Sequence, residues 1–486
     1  MMFTSLKFLV FFVGIFLLYW FVFKRTYKSQ NIILLIASYL FYGIAEWKML
    51  PLLIVTTVVF YFLAIGIQTA KTEKRASVLT TLGVIIGVGV LLYFKYFNFF
   101  IQSFSDFLNA IGLQTNWHTF KIIMPLGVSY FTFKLISYVV EVHRGKMEAC
   151  RDFIAFANFV AFFPTIMAGP IDRPQKFIPQ LLQKRTFTYY GGVDGLQQII
   201  WGLFKKIVIA DNLSPFVDNV WANLGDSSGS TILLALILYS FQMYTDFSGY
   251  SDMAIGLGKL LGLRIQKNFN YPFFATNIAE FWRRWHISLT GWLTDYVFIP
   301  LNIKFRDLGN FGMALAIIIN MVLVGMWHGA NWTYAVFGLY QGLLFIPLIL
   351  SGNMSKKQKL KLNRWNGPQL KDALKMLGIF MLYTLGTIVF RADNLSQSWD
   401  VVKGLMDVSL FSIPQGMPKG GIMCYLFIII MLFLEWRNRS KEYAIQPVAN
   451  VEDKPIIRLI ILDLIFLLGI FVLGNFGANQ FIYFQF

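Results

Sequence analysis

Residues 311–350 read FGMALAIIINMVLVGMWHGANWTYAVFGLYQGLLFIPLIL. They contain no Asp, Glu, Lys or Arg, and their one histidine, His328, sits in the run Gly325-Met326-Trp327-His328-Gly329-Ala330-Asn331. A helix on a soluble surface needs a polar face. Two consecutive runs without one match a pair of helices crossing a hydrocarbon core about 30 Å thick. An imidazole at that depth is costly, and such residues usually serve a function. Gly329 leaves room for another backbone or a substrate beside the ring. The competing reading is a hairpin-turn histidine exposed at the outer end of the two helices.

The rest of the 486-residue chain has the same character, with 57% hydrophobic, 17% aromatic and only 14% charged residues. A soluble domain carries about a quarter charged residues, so much of this surface is expected to face lipid. Disorder, coiled coil, collagen and a small disulfide scaffold are excluded. Two cysteines, Cys150 and Cys424, make neither a disulfide framework nor a metal cluster. The expected fold is an all-α polytopic membrane protein, a single domain over residues 1–486. Its twelve predicted spans are 7–23, 31–45, 50–69, 78–100, 122–140, 196–212, 231–250, 311–327, 332–350, 374–390, 420–435 and 457–474. The first lacks a small-residue cleavage site and is followed at once by another apolar run, so it reads as an anchor.

The net charge of +17 is explained by where it falls. With the loops around Lys24, Lys71 and Lys361 placed in the cytoplasm, the inside loops hold 30 Lys/Arg. The outside loops hold five: Lys48, Lys121, Arg391, Lys403 and Lys419. This asymmetry orients the chain in a cell membrane with both termini extracytoplasmic. It does not resemble the clustered basic face of a nucleic-acid binder. Residues 152–169 are apolar enough to span, yet Pro164 and Gly169-Pro170 break a helix. Crossing there would also carry Arg173, Lys176, Lys184 and Arg185 outside. The segment is therefore expected to be re-entrant or interfacial. Residues 251–310 read as short or tilted helices near the cytoplasmic face.

Few polar groups remain to carry chemistry. His118 and His143 read as loop and surface residues. His286 lies in Phe281-Trp282-Arg283-Arg284-Trp285-His286-Ile287-Ser288-Leu289. That segment suits an interfacial anchor; it also suits a site where Arg283 and Arg284 attract the phosphates of a donor. In Tyr244-Thr245-Asp246-Phe247-Ser248-Gly249-Tyr250-Ser251-Asp252 the two carboxylates can support catalysis or cap a helix. A phosphate-cradling loop, a dinucleotide fingerprint and a His-Glu-x-x-His pair are all missing from the sequence.

Taken together, these stretches resemble the membrane-bound O-acyltransferase superfamily, and within it the alginate O-acetyltransferase-like branch. The resemblance is carried by Met124-Pro125-Leu126-Gly127-Val128-Ser129-Tyr130-Phe131, Phe163-Pro164 with Ala168-Gly169-Pro170, and the Tyr244–Asp252 block. It continues through Asn268-Phe269-Asn270-Tyr271-Pro272-Phe273, the Phe281–Leu289 segment, Trp327-His328-Gly329, Val389-Phe390-Arg391-Ala392-Asp393 and the terminal Phe481–Phe486. It implies a ring of helices with a central tunnel, plus re-entrant and interfacial helices. It also implies His328 and His286 as catalytic histidines. Asp246, Asp252 and Trp327 would then be supporting residues, and Arg283 and Arg284 donor-binding ones. No metal and no permanently bound cofactor is expected. The implied donor is acetyl-coenzyme A, the acceptor an extracytoplasmic polysaccharide or cell-wall glycan, and the partner an extracytoplasmic SGNH/esterase-like acyltransferase. The alternatives are a D-alanyl transferase of the teichoic-acid type using a carrier-protein thioester, and a transporter without chemistry.

Overall fold

The computed structural model describes the chain except residues 1, 114–119, 121, 355, 357–359, 419–420, 447–455, 478–480 and 483–486. His118, Lys121, Lys357, Lys359 and Lys419 therefore lie outside the described residues. Among the described residues the regular structure is helical, with one isolated β-bridge between Leu362 and Pro368. Five helical stretches are both long and apolar enough to cross a membrane: Tyr27–Gln68, Glu73–Ala110, Arg306–His328, Trp332–Leu350 and Leu370–Arg391. Leu6–Val22 and Asp463–Leu473 are apolar but shorter. The first long stretch is bent. Glu46 leaves the helical region at φ −156°, ψ 71°, a 3₁₀ turn covers Trp47–Met49, and Pro51 opens the helix Leu50–Gln68. Residues 31–45 and 50–69 thus fall in separate helices.

The chain packs as two compact units, residues 1–195 with 254–266, and residues 196–253 with 267–486. The first unit explains the awkward segment 152–169. Phe153–Ala161 is a nine-residue helix, about 14 Å long at 1.5 Å per residue and too short to span. The chain then runs through turns to the helix Pro174–Leu181. Irregular backbone at depth must be satisfied by protein, and here it is. The buried Lys134 ammonium donates to the Phe159 carbonyl at 3.1 Å and to Thr165 Oγ1 at 3.0 Å. The Phe163 amide donates to Ser38 Oγ at 3.1 Å. Gly127, at φ +69°, lies so close to the Ile166 carbonyl that a Cβ would stand 2.1 Å from its oxygen. Any side chain at 127 would push this turn away.

The second unit holds the Trp-His-Gly run. Its helices Gly309–His328 and Trp332–Leu343 touch backbone to backbone. A Cβ on Gly325 would lie 2.1 Å from the Tyr334 carbonyl oxygen, and one on Gly338 would lie 2.3 Å from that of Met321. Small residues permit this approach where lipid offers no hydrophobic drive for association. A second close crossing joins Gly202 to Gly249, each facing the other's carbonyl oxygen. That crossing carries the neighbouring Lys205 and Lys206 onto the helix Gly229–Leu260.

Candidate active site

His328 is the last residue of its helix, because Gly329 turns to an extended conformation at φ −164°. Asn331 restarts the chain by accepting from the Thr333 amide at 3.1 Å, and donates to the Asp393 carbonyl at 2.8 Å. This short, tied break holds the imidazole inside the protein, where His328 is 5% exposed. A hairpin-turn histidine open to solvent is thereby ruled out. Its ring lies 5.1 Å from Trp327, 5.0 Å from Phe390 and 6.3 Å from His286, centroid to centroid.

His286 reaches the same place from the junction of two short helices, Ile278–Arg284 and Ile287–Leu293. Its backbone is left-handed at φ 44°, ψ 52°, a conformation costly for a residue with a Cβ. The turn is fastened from outside the helices. Asn270 N–H donates to the Arg284 carbonyl at 2.9 Å, and Ile287 N–H donates to that of Asn268 at 2.8 Å. Asn268 is itself held by Ser288 at 2.6 Å and Ser251 at 3.1 Å. Such strain persists where the surroundings over-determine it, often at functional sites. The ring is 1% exposed and lies 4.6 Å from Phe247 and 5.3 Å from Trp327. Burial, with His328 adding a smaller effect, holds its pKa well below the ordinary imidazole value, so it is neutral. The structure thus brings His328, His286 and Trp327 into one aromatic-walled cluster.

Asp246 and Asp252 are each bound to a lysine. Asp246 pairs with Lys206 at 2.5 Å and accepts the Ile482 amide at 2.9 Å. Asp252 pairs with Lys205 at 2.6 Å and accepts from Gln198 at 2.8 Å. Lys206 also reaches Asp211 at 2.8 Å. Both carboxylates are therefore committed to lysines that the sequence reading left unremarked. The signal was present: Lys205-Lys206 interrupts the apolar stretch 196–212, and charge at such depth flags a partner. Phe247 and Phe390, which cover the two imidazoles, had no signal apart from the motifs around them.

A cavity of about 550 Å³ is lined by Arg283, Ile287, Thr290, Asp295, Asn320 and Val324 among others, and by neither histidine. Ile287 follows His286 in the chain, and Val324 lies one helical turn before His328 on the same face. Arg283 is exposed at the cavity, and among the described residues no carboxylate pairs with it. Arg284 differs: it is bound to Glu280 at 2.6 Å and does not line this cavity. Arg283 donates to the carbonyls of Ala279 at 3.0 Å and Met354 at 3.4 Å, whereas Arg284 is committed to the Glu280 carboxylate. His143 lies elsewhere, 3.6 Å from Glu73 in the first unit. Among the described residues no cluster of His, Cys, Asp or Glu could hold a metal ion.

Two buried imidazoles 6.3 Å apart suit proton transfer, and Arg283, which shares the cavity lining with Asp295, can meet a phosphate. The family model for the membrane-bound O-acyltransferase family matches residues 39–386. A probable alginate O-acetylase AlgI from Pseudomonas aeruginosa is 37% identical over 421 residues, covering 85% of this chain and 76% of that protein. A peptidoglycan O-acetyltransferase from Helicobacter pylori is 33% identical, covering 77% and 73%. A teichoic acid D-alanyltransferase from Bacillus subtilis is also 33% identical, but covers 50% of this chain and 64% of its own length. This chain is a multi-pass membrane acyltransferase and belongs to the membrane-bound O-acyltransferase family.

Proposed function

We propose that the protein transfers an acetyl group from acetyl-coenzyme A at the cytoplasmic face to a hydroxyl of an extracytoplasmic glycan, with His328 as general base. The observation carrying this reading is the burial of His328 at a tied helix break, 6.3 Å from a second buried histidine, with Val324 one turn before it lining the cavity. Arg283 attracts the donor's phosphates at the cavity mouth, and the pantetheine arm runs inward along Ile287 and Val324. His328 takes the proton of the acceptor hydroxyl as its oxygen attacks the acetyl carbonyl carbon. The C–S bond then breaks, and the coenzyme leaves as a thiolate that the proton returns to. A hydroxyl of high pKa needs such a base within hydrogen-bond reach. His286 is neutral and packed against Trp327, so it supplies a fixed dipole near the developing charge. Asp246 and Asp252 act through Lys206 and Lys205 to hold the helix Gly229–Leu260, which carries Phe247, in place.

The acetyl donor is favoured over a carrier-bound D-alanyl donor. The acetyl-transferring relatives match over 85% and 77% of the chain, against 50% for the D-alanyl relative. The apolar runs and the charge asymmetry support twelve spans in a cell membrane with both termini outside, and the family resemblance implies helices arranged around a central tunnel. An extracytoplasmic SGNH/esterase-like protein works with the chain on the glycan. The test is transfer of labelled acetyl-coenzyme A by purified protein in liposomes to a glycan or partner on the far side. Label that moves only from a D-alanyl carrier would replace the donor and keep the site.

A further inference from the structure

The run Val389-Phe390-Arg391-Ala392-Asp393 has so far contributed only Phe390, whose ring lies 5.0 Å from that of His328. The next residue, Arg391, ends the same helix and turns to a different set of neighbours. Its guanidinium carbon lies 5.8 Å from the Trp221 ring and 6.0 Å from the Tyr239 ring, and those rings are 5.9 Å apart. One Arg391 nitrogen, Nη2, donates to Asp218 at 2.8 Å. Trp221 and Tyr239 are 4% and 1% exposed, yet among the described residues neither the indole N–H nor the phenol O–H has a hydrogen-bond partner. Buried donors without acceptors are rare and costly. Here two of them lie beside one cation whose bonded carboxylate, Asp218, serves neither, so what the place lacks is an acceptor for both donors. As a structural device it is poor, because the Arg391–Asp218 pair is half in water, with Asp218 52% exposed. Such pairs contribute little to stability.

We infer that Trp221, Tyr239 and Arg391 form a subsite for an oxyanion on the acceptor, a sugar carboxylate or a phosphate. The inference rests on the reading of His328 as the transfer site with its acceptor outside. The subsite stands one residue along the chain from the ring covering His328, so an acceptor anchored here by its anion presents a neighbouring hydroxyl toward that imidazole. Part of glycan recognition therefore lies on this chain and not wholly on its partner.

The test uses purified full-length protein in detergent and in liposomes, with the variants Tyr239→Phe, Trp221→Phe and Arg391→Lys. Sodium glucuronate, inorganic phosphate and glucose are each titrated while the thermal midpoint is followed. Glucuronate raising the midpoint of the unaltered protein but not of Tyr239→Phe or Trp221→Phe assigns a uronate. The same pattern with phosphate alone assigns a phosphate-bearing acceptor. In the transfer assay, each of these two variants raises the KM for a uronate oligosaccharide about tenfold, the loss of one hydrogen bond to a charged group. The KM for acetyl-coenzyme A stays put. The inference is overturned if neither anion shifts the midpoint. It is equally overturned if both variants keep the unaltered acceptor KM, since water then satisfies the two donors. Loss of transfer in those variants alongside full transfer by His328→Ala would instead indict the site assignment, which separates the two failures.

Discussion

Removing the Lys206 ammonium should unfold the second unit more readily than removing either carboxylate beside it. Lys206 lies between Asp211 at 2.8 Å and Asp246 at 2.5 Å, and all three side chains are at most 7% exposed. The trio sets one ammonium between two carboxyl groups. Lys206→Met leaves two buried carboxylates facing each other without their cation. Breaking a buried pair in this way costs about 3–5 kcal/mol, because the remaining charge is uncompensated. Asp246→Asn leaves Lys206 paired with Asp211, and the amide oxygen can still accept the Ile482 N–H. Its cost is nearer 1 kcal/mol, that of one weakened hydrogen bond. At roughly 2–4 °C per kcal/mol for a body of a few hundred residues, Lys206→Met should lower the apparent thermal midpoint on the order of 10 °C. Asp246→Asn should lower it by only a few degrees. The midpoint is read by fluorescence-detected size exclusion after heating in detergent. A reversed ranking, or a Lys206→Met variant as stable as the unaltered protein, would refute the account of this cluster. Asp246→Asn that folds normally yet loses transfer outright would show that Asp246 meets the reacting groups directly.

Three further outcomes follow from particular contacts. Gly338→Ala places a Cβ 2.3 Å from the Met321 carbonyl oxygen, and backbone cannot step aside cheaply. The two helices should separate and the protein should elute as aggregate, whereas Gly378→Ala, with nothing within 4 Å, should behave normally. Gly329→Ala meets the Tyr334 ring at 2.2 Å, and that ring packs on Phe390 beside His328. Transfer should fall at least about tenfold, near 1.4 kcal/mol of barrier, while the elution profile is kept; unchanged kinetics would show that the break tolerates movement. The third concerns pH. Since the folded protein keeps His286 neutral, its pKa lies below the unfolded value near 6.5. Stability should be flat above that value and fall as pH drops below it, by up to about 1.4 kcal/mol per pH unit, because only the unfolded chain takes the proton. His286→Asn, which tolerates the left-handed backbone, should remove that slope in a midpoint-against-pH series.

Much of this fold was legible because lipid imposes a strong and simple constraint. Forty residues without a formal charge around His328 mark helices whatever their neighbours do. The break at Pro164 and Gly169-Pro170 likewise announced that no long helix runs through this segment, and the helix there stops at Ala161. Tertiary pairings were harder to read. Lys134 lies in an apolar stretch and gave no hint that it would hold the turn at Phe159 and Thr165. Lys205 and Lys206 are adjacent in sequence but serve different aspartates, because the Gly202–Gly249 crossing sets which carboxylate each reaches. Arg283 and Arg284 read alike, and only the position of Glu280 one turn earlier distinguishes them. The left-handed backbone of His286 depends on Asn268 and Asn270, contacts that no local pattern encodes.

The central claim is that His328 performs the proton transfer. Its direct test is single-turnover transfer from labelled acetyl-coenzyme A by His328→Ala and by His328→Gln in liposomes, each checked for intact folding by size exclusion. A general base contributes about 10²–10⁴-fold. Both variants should therefore lose transfer by that factor while still binding the donor. Folded variants that transfer label at the unaltered rate would contradict the account.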